Sequence, residues 1–331
     1  MRSCFKKLGV LGRESWVLGL KKLTHDSRLT IKSFPLYIIH YILYILLTSC
    51  GNQKESEAAK FFLKANYAFE KKNYEESIRF FGESLEKKPD FADAHNNRGV
   101  AYLKLNQIEN ALTDFNKAID LDKDFSDAYF NRAGLLIEAK NFKEAQLDLE
   151  KIRAQYKDST NYYLKWGDFR MAENNPEMAI GEYEHALLLN PKNVQALVNR
   201  GTAYFQKRDF DKAQTDFENT VKIDSFQSEA LNNLAYILAR KNKLKQAEIY
   251  IEKALRLDFV NPIYVNNKGY ILLLKNELEA AKKLIDKSLE KNPNNAYAHY
   301  NLGIYYQKIN QVELSKTAFQ KAKELNRNLS F

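Results

Sequence analysis

Residues 92–118 read ADAHNNRGVAYLKLNQIENALTDFNKA, and the fold turns on the sizes of four side chains in that stretch. Gly99, Ala111 and Ala118 are small, Phe115 is large, and each recurs along the chain at an interval of 34 residues. The first set is Ala65, Gly99, Ala133, Gly167, Gly201, Ala235, Gly269 and Gly303. Twelve residues later come Ser77, Ala111, Ala145, Ala179, Ala213, Ala247, Ala281 and Ser315. The large set is Phe81, Phe115, Leu149, Tyr183, Phe217, Ile251, Ile285 and Phe319. A last, mostly small set is Ser84, Ala118, Ile152, Ala186, Thr220, Ala254, Ser288 and Ala322. Two small residues on successive helices let their backbones approach closely, and the bulky residue fills the adjoining groove. The punctuation agrees. Pro89, Pro191 and Pro293 fall between units, while Pro176 and Pro262 open helices, where the missing N–H has no intrahelical partner to lose. Asn73, Asn141, Asn174, Asn242, Asn276 and Asn310 are expected at the turn inside each unit, because Asn tolerates turn conformations.

Eight such units without an insertion occupy residues 58–329, as 58–91, 92–125, 126–159, 160–193, 194–227, 228–261, 262–295 and 296–329. A 34-residue period resembles the tetratricopeptide repeat, a helix–turn–helix unit. The resemblance implies an all-α fold, a right-handed superhelical solenoid with the first helices lining a concave groove. Trp is missing from the family's first aromatic position, where Phe61, His95, Tyr129, Tyr163 and His299 stand, and Arg170 replaces a Tyr. Such a unit cannot bury its apolar face alone and depends on its neighbours. The position facing the next unit is apolar at Leu85, Ile119, Leu187, Val221, Leu255 and Leu289 but is Lys323 in the last unit. With Lys316 it reads as a solubilising cap, so the chain is expected to be monomeric on its own.

The composition fits a folded helical body: 331 residues, 45% hydrophobic, 28% charged, with 12 Gly and 6 Pro. The formal charge is +9, but residues 1–49 hold 8 basic and 2 acidic side chains, leaving 43 against 40 for the remainder. That balance lacks the basic stripe nucleic-acid binding needs. Two cysteines make no disulfide framework.

The leader has its own pattern. Lys21, Lys22, Arg28 and Lys32 precede the run FPLYIIHYILYILL from Phe34 to Leu47. The run is short for a membrane span, which needs roughly 17–25 residues, and suits a secretory signal. Leu47-Thr48-Ser49-Cys50 resembles a bacterial lipobox. The resemblance implies cleavage before Cys50 and acylation of it, which would hold the protein to a bilayer. Gly51 after the cysteine, where inner-membrane retention has Asp, favours the outer membrane. Residues 1–49 are then extension and signal peptide, and 50–57 a tether.

No catalytic constellation accompanies the repeats. The histidines lack metal-ligand spacing, and His95 and His299, standing where other units carry Tyr or Phe, are expected to pack. Trp166 is expected in the core. No metal, cofactor or enzymatic activity is expected. Function is expected instead in a groove that binds a peptide or partner protein. Asn97, Asn131, Asn199, Asn233, Asn267 and Asn301 recur along it, with Asn96, Asn232 and Asn266 one residue earlier. Amides donate and accept at once and suit an extended backbone, although Asn here also belongs to the repeat's own consensus. Phe130, Phe205, Tyr236, Tyr270, Tyr297 and Tyr300 offer anchoring surfaces. The stretch from Val194 to Tyr300 is the richest, whereas the fourth unit interrupts the row with Lys165, Asp168 and Met171. The two-carboxylate clamp of chaperone-binding relatives is excluded, because its positions are Phe62, Asn66, Asn97, Asp127 and Asn131 and lack the lysines. A carbohydrate-binding or enzymatic envelope protein and a cytosolic adaptor are the alternatives.

Overall fold

The computed structural model describes residues 53–326, so the leader and the Cys50 site lie outside the described residues. Every regular element among the described residues is an α-helix, and the chain divides into two compact units at Asp124/Phe125. That division falls at the junction of the second and third repeats.

The first unit contains two helix pairs: α1 (Gln53–Glu70) with α2 (Tyr74–Lys87), and α3 (Ala92–Lys104) with α4 (Ile108–Leu121). Helix α1 opens five residues ahead of Ala58, so the stretch expected as an open tether is helical from Gln53 onward. Glu57 and Glu55 help to seat that first turn by pairing with Lys87 at 3.0 Å and Lys88 at 4.0 Å. The core of this unit gathers Ala65, Phe81, Leu85 and Ala94, with Phe62, Phe80 and Phe91 packed against it.

The second unit begins with α5 (Ser126–Glu138), α6 (Phe142–Lys151) and the single turn α7 (Arg153–Tyr156). Regular pairs follow: α8 (Thr160–Ala172) with α9 (Pro176–Leu189), and α10 (Val194–Gln206) with α11 (Phe210–Ile223). Then come α12 (Ser228–Arg240) with α13 (Leu244–Leu257), α14 (Pro262–Leu274) with α15 (Leu278–Lys291), and α16 (Ala296–Lys308) with α17 (Val312–Leu325). Its apolar clusters each join residues of consecutive pairs, such as Phe217, Leu234, Ile251 and Ile271 in one and Leu273, Ile285 and Tyr305 in another. Burial therefore comes from stacking, the behaviour of a solenoid.

The size period has a direct structural cause. A Cβ on Gly99 would lie 2.7 Å from the Phe115 ring, and one on Gly303 would lie 2.6 Å from the Phe319 ring. The bulky residue thus sits on the small one itself. Where the second small position is Ser, its hydroxyl is satisfied across the pair: Ser77 Oγ donates to the Ala65 carbonyl and Ser315 Oγ to that of Gly303, both at 2.9 Å.

The six asparagines lie in the turns as expected, but in two registers. The left-handed residue recurs every 34 positions at Lys72, Asn106, Lys140, Asn174, Arg208, Asn242, Asn276 and Asn310. Asn73 and Asn141 stand one place later, at φ −86° and −85°, as the residues that precede the second helices. The third unit departs further. Its second helix stops at Lys151 and Ile152 takes φ −97°, ψ 1°. Ile152 occupies a position that is small in other repeats, and its buried side chain is too large for the close helix approach made there. Several first helices start on an amide cap: Asn193, Asn261 and Asn295 each accept from a backbone N–H at 2.8–3.2 Å, satisfying a donor that the helix start leaves open.

Candidate functional site

Within each compact unit the recurrent asparagines meet their neighbours, and most of their amides are engaged with one another. In the first unit Asn96 Nδ2 donates to Asn97 Oδ1 at 3.1 Å, and Asn97 Nδ2 donates to Asn66 Oδ1 at 3.0 Å. In the second unit Asn267 Nδ2 donates to Asn232 Oδ1 at 2.8 Å, and Asn301 Nδ2 to Asn266 Oδ1 at 3.0 Å. Asn232, Asn266, Asn267 and Asn301 are all buried, whereas Asn97, Asn131, Asn199 and Asn233 are half-buried. Asn199 Nδ2 donates to Asp168 at 2.8 Å, and Asn233 accepts from Asn232 at 3.1 Å. The row is therefore in large part a set of rungs between neighbouring first helices. Each rung takes one of an amide's two N–H groups and one acceptor site of its neighbour.

The aromatic residues converge. Phe205 and Tyr236 lie 5.5 Å apart between ring centres, and Tyr236 and Tyr270 lie 5.6 Å apart. Beyond them a pocket of about 190 Å³ opens on helices α12, α14 and α16. Its walls are the four rings of Tyr236, Tyr270, Tyr297 and Tyr300, the amides Asn267 and Asn301, and the guanidinium of Arg240. Burial pushes the Tyr270 and Tyr297 hydroxyls above their ordinary range, so both remain neutral donors. Tyr300 also packs on Phe319, with ring centres 5.4 Å apart, which fixes the far wall.

Arg240 is absent from the sequence-derived set. It lies four residues after Tyr236 on the same helix and therefore shares its face. Its Nη1 donates to the Tyr236 hydroxyl at 3.4 Å, and its guanidinium lies 4.9 Å from the Phe210 ring centre. That hydrogen bond to Tyr236 holds Arg240 further above its ordinary range. The helical spacing from Tyr236 was the available signal, though nothing in a single helix distinguishes such an arginine from a solvated one.

Phe130 belongs elsewhere. Its ring stacks on Tyr156 with centres 5.5 Å apart, and Lys165 Nζ lies 4.9 Å from it. Burial pushes the Lys165 ammonium below its ordinary range. Asp168 accepts from the Tyr183 hydroxyl at 2.9 Å; although part of it meets solvent, the protein around it raises its carboxyl. The fourth repeat therefore engages its own polar groups at the point where the amide row is interrupted.

A second feature unseen in the sequence is a set of internal clamps. Arg98, Arg132 and Arg200 each grip the aspartate sixteen residues on, Asp114, Asp148 and Asp216, through two hydrogen bonds of 2.7–2.8 Å. His95 adds a contact to Asp114 at 2.8 Å and another to the Pro89 carbonyl at 3.1 Å, and His299 meets the Pro293 carbonyl at 2.9 Å. These histidines hold the loop that precedes their helix. Trp166 is buried against Tyr162 and Phe169. Among the described residues no three His, Cys, Asp or Glu side chains come together in a way that could hold a metal ion, and no helix is long and apolar enough to cross a membrane.

Sequence-family models described as tetratricopeptide repeat match residues 92–125, 164–213, 198–262, 264–295 and 284–317, and one described as TPR repeat matches 65–106. These matches leave out 126–163, the repeat with the broken second helix. No curated protein is significantly similar in sequence. Among solved structures, a tetratricopeptide repeat protein from Parabacteroides merdae is 16% identical with a TM-score of 0.58, over 80% of this chain and 98% of that one. A chain of the APC/C hetero-tetramer Cut9–Hcn1 is 14% identical with a TM-score of 0.53, over 83% and 68%. At such identities the likeness establishes an all-α repeat fold.

Proposed function

The chain belongs to the tetratricopeptide repeat family, and from that premise we propose a non-enzymatic scaffold that holds a segment of a partner protein against its first helices. The observation that carries this reading is the tyrosine-walled pocket on α12, α14 and α16. Aromatic rings supply large contact area at small entropic cost and dominate binding surfaces for that reason. The row from Phe205 through Tyr236 to Tyr270 extends the same surface along successive repeats. The amides beside it keep both a donor and an acceptor after bonding one another, which suits the backbone of an extended peptide.

We place the scaffold in a bacterial envelope, anchored by acyl chains on Cys50, with the outer membrane favoured by Gly51. The support is the leader: a basic flank, an apolar run too short to span, and Leu47-Thr48-Ser49-Cys50.

Two experiments test the proposal. Crosslinking in the producing bacterium followed by mass spectrometry is expected to recover a protein partner, and substitution of Tyr236 and Tyr270 by Ala is expected to lose it. Recovery unchanged by those substitutions would remove this face from the account. Growth with labelled palmitate is expected to label the protein but not a Cys50→Ala variant, and equal labelling would remove the anchor.

A further inference from the structure

We infer that the pocket on α12, α14 and α16 takes the carboxylate of an acidic side chain, Asp or Glu, from an extended partner segment, with Arg240 as its cation. The inference rests on the reading of this face as partner-binding and specifies what the face selects.

The argument begins with charge. Arg98, Arg132 and Arg200 each hold a carboxylate within their own repeat. Arg240 holds none: among the described residues its contacts are the Tyr236 hydroxyl and the faces of Phe210 and Tyr236, and no acidic side chain lines the pocket. A guanidinium on aromatic faces keeps its fork of N–H groups available to a planar anion.

The donors point the same way. Asn267 and Asn301 each commit one Nδ2 hydrogen to Asn232 and Asn266, and the one charged donor on the pocket wall is Arg240. A chain terminus is caught by runs of free backbone N–H groups. Here Tyr236, Tyr270, Tyr300 and the two asparagines stand within helices, and in the first turn of α16, where Tyr297 stands, Asn295 already takes the Ala298 and His299 N–H groups. The pocket therefore reads a side chain. Its volume of about 190 Å³ leaves room for an acidic side chain.

The test uses the purified full-length chain on two peptide arrays. In the first, random twelve-residue peptides are acetylated and amidated, so every carboxylate belongs to a side chain. In the second, peptides without Asp or Glu carry a free C-terminus. The first array is expected to retain peptides enriched in Asp and Glu. Arg240→Gln is expected to weaken those by about tenfold, the usual weight of one charge-assisted hydrogen-bonded contact, and Arg240→Lys to keep more of the binding, with helical circular dichroism unchanged in both. Peptides retained without acidic preference, and unaffected by Arg240→Gln, would overturn the carboxylate assignment and leave the partner-binding face standing. Retention on the second array alone would overturn it in favour of a chain terminus. Retention of no peptide, with binding to an envelope glycan array, would overturn both readings.

Discussion

Asn267 donates its side-chain amide to that of Asn232 across 2.8 Å, and both residues are buried between the first helices of neighbouring repeats. A row of amides that suggests a peptide ladder is thereby also a fastening between repeats. Asn232 passes the chain on to Asn233 at 3.1 Å, so the three amides are polarised in one direction and act as a unit.

Asn267→Ala is accordingly expected to act on stability. It leaves the Asn232 carbonyl buried without a donor, which costs about 1–3 kcal/mol. Adding Asn232→Ala is expected to cost less than the sum of the two single changes, because the second removes the group orphaned by the first. Tyr297→Ala, at a ring that is 43% exposed, is expected to leave stability nearly unchanged while reducing partner binding. Urea unfolding midpoints on the four variants separate these outcomes, and strict additivity of the asparagine pair would refute the fastening.

Two glycines predict opposite signs for the same substitution. At Gly201 a Cβ would stand 2.9 Å from the ring of Phe217, which is fully buried, and 3.2 Å from the Asp216 side chain. Gly201→Ala is expected to destabilise despite the better helix propensity of Ala, and Gly201→Leu to cost ~3 kcal/mol, the upper end for overpacking. At Gly181, inside α9, nothing lies within 4 Å of the same atom. Gly181→Ala is therefore expected to stabilise by about 1 kcal/mol. Thermal unfolding of the pair reads both signs at once, and a shared sign would sink the steric account of the period.

This contrast explains what could be read in the chain beforehand. Gly99, Ala111 and Phe115 announce the helix pair because steric size is a property of one residue type and repeats with the fold. Ile152 was visible as an intruder in a small set, but whether a helix bends, breaks or repacks around it depends on neighbours that the sequence does not order in space. The clamps from Arg98 to Asp114 and from Arg200 to Asp216 join residues sixteen apart on two helices; both partners recur at the 34-residue interval with Arg132 and Asp148 between them, but the spacing of surface-type charges does not itself say which groups meet. Of the site, the tyrosines were legible as a row, whereas Arg240 was not. Its character comes from lacking a carboxylate, and a missing partner is a fact of three dimensions.

The left-handed turn positions give a further test. Lys72 takes φ 62° and is exposed, in a series where Asn fills five of the eight equivalent sites. A side chain with a Cβ is disfavoured there by roughly 1–2 kcal/mol, and Asn less so because its short amide bonds locally. Lys72→Asn is expected to stabilise by about 0.5 kcal/mol with no change in helix content. A lower denaturation midpoint would mean that the Lys72 side chain makes a contribution of its own.

The clamp at Asp114 predicts how the chain responds to acid. Burial alone would raise this carboxyl, but the hydrogen bonds from Arg98 and His95 outweigh it and hold the carboxyl below its ordinary 3.8. A depressed folded value means that the contribution to folding is complete above about 3.8 and is lost as pH falls through the depressed value. Asp148 has Arg132 without a histidine, and burial leaves its carboxyl raised; its contribution is present below 3.8 and fades as pH rises through the raised value. Asp114→Asn strands a half-buried Arg98 at neutral pH and is expected to cost ~3 kcal/mol there. As pH falls below 3.8 and through the depressed value the wild type loses the same charge, so the two stability curves are expected to approach one another there. For Asp148→Asn the gap is expected to close at a higher pH, since the wild-type carboxyl takes up its proton earlier. Urea titrations of both variants from pH 7 to well below 3.8 decide the matter: a gap for Asp114→Asn that stays constant even where the wild-type carboxyl is protonated would show that shape, and not charge, holds that clamp.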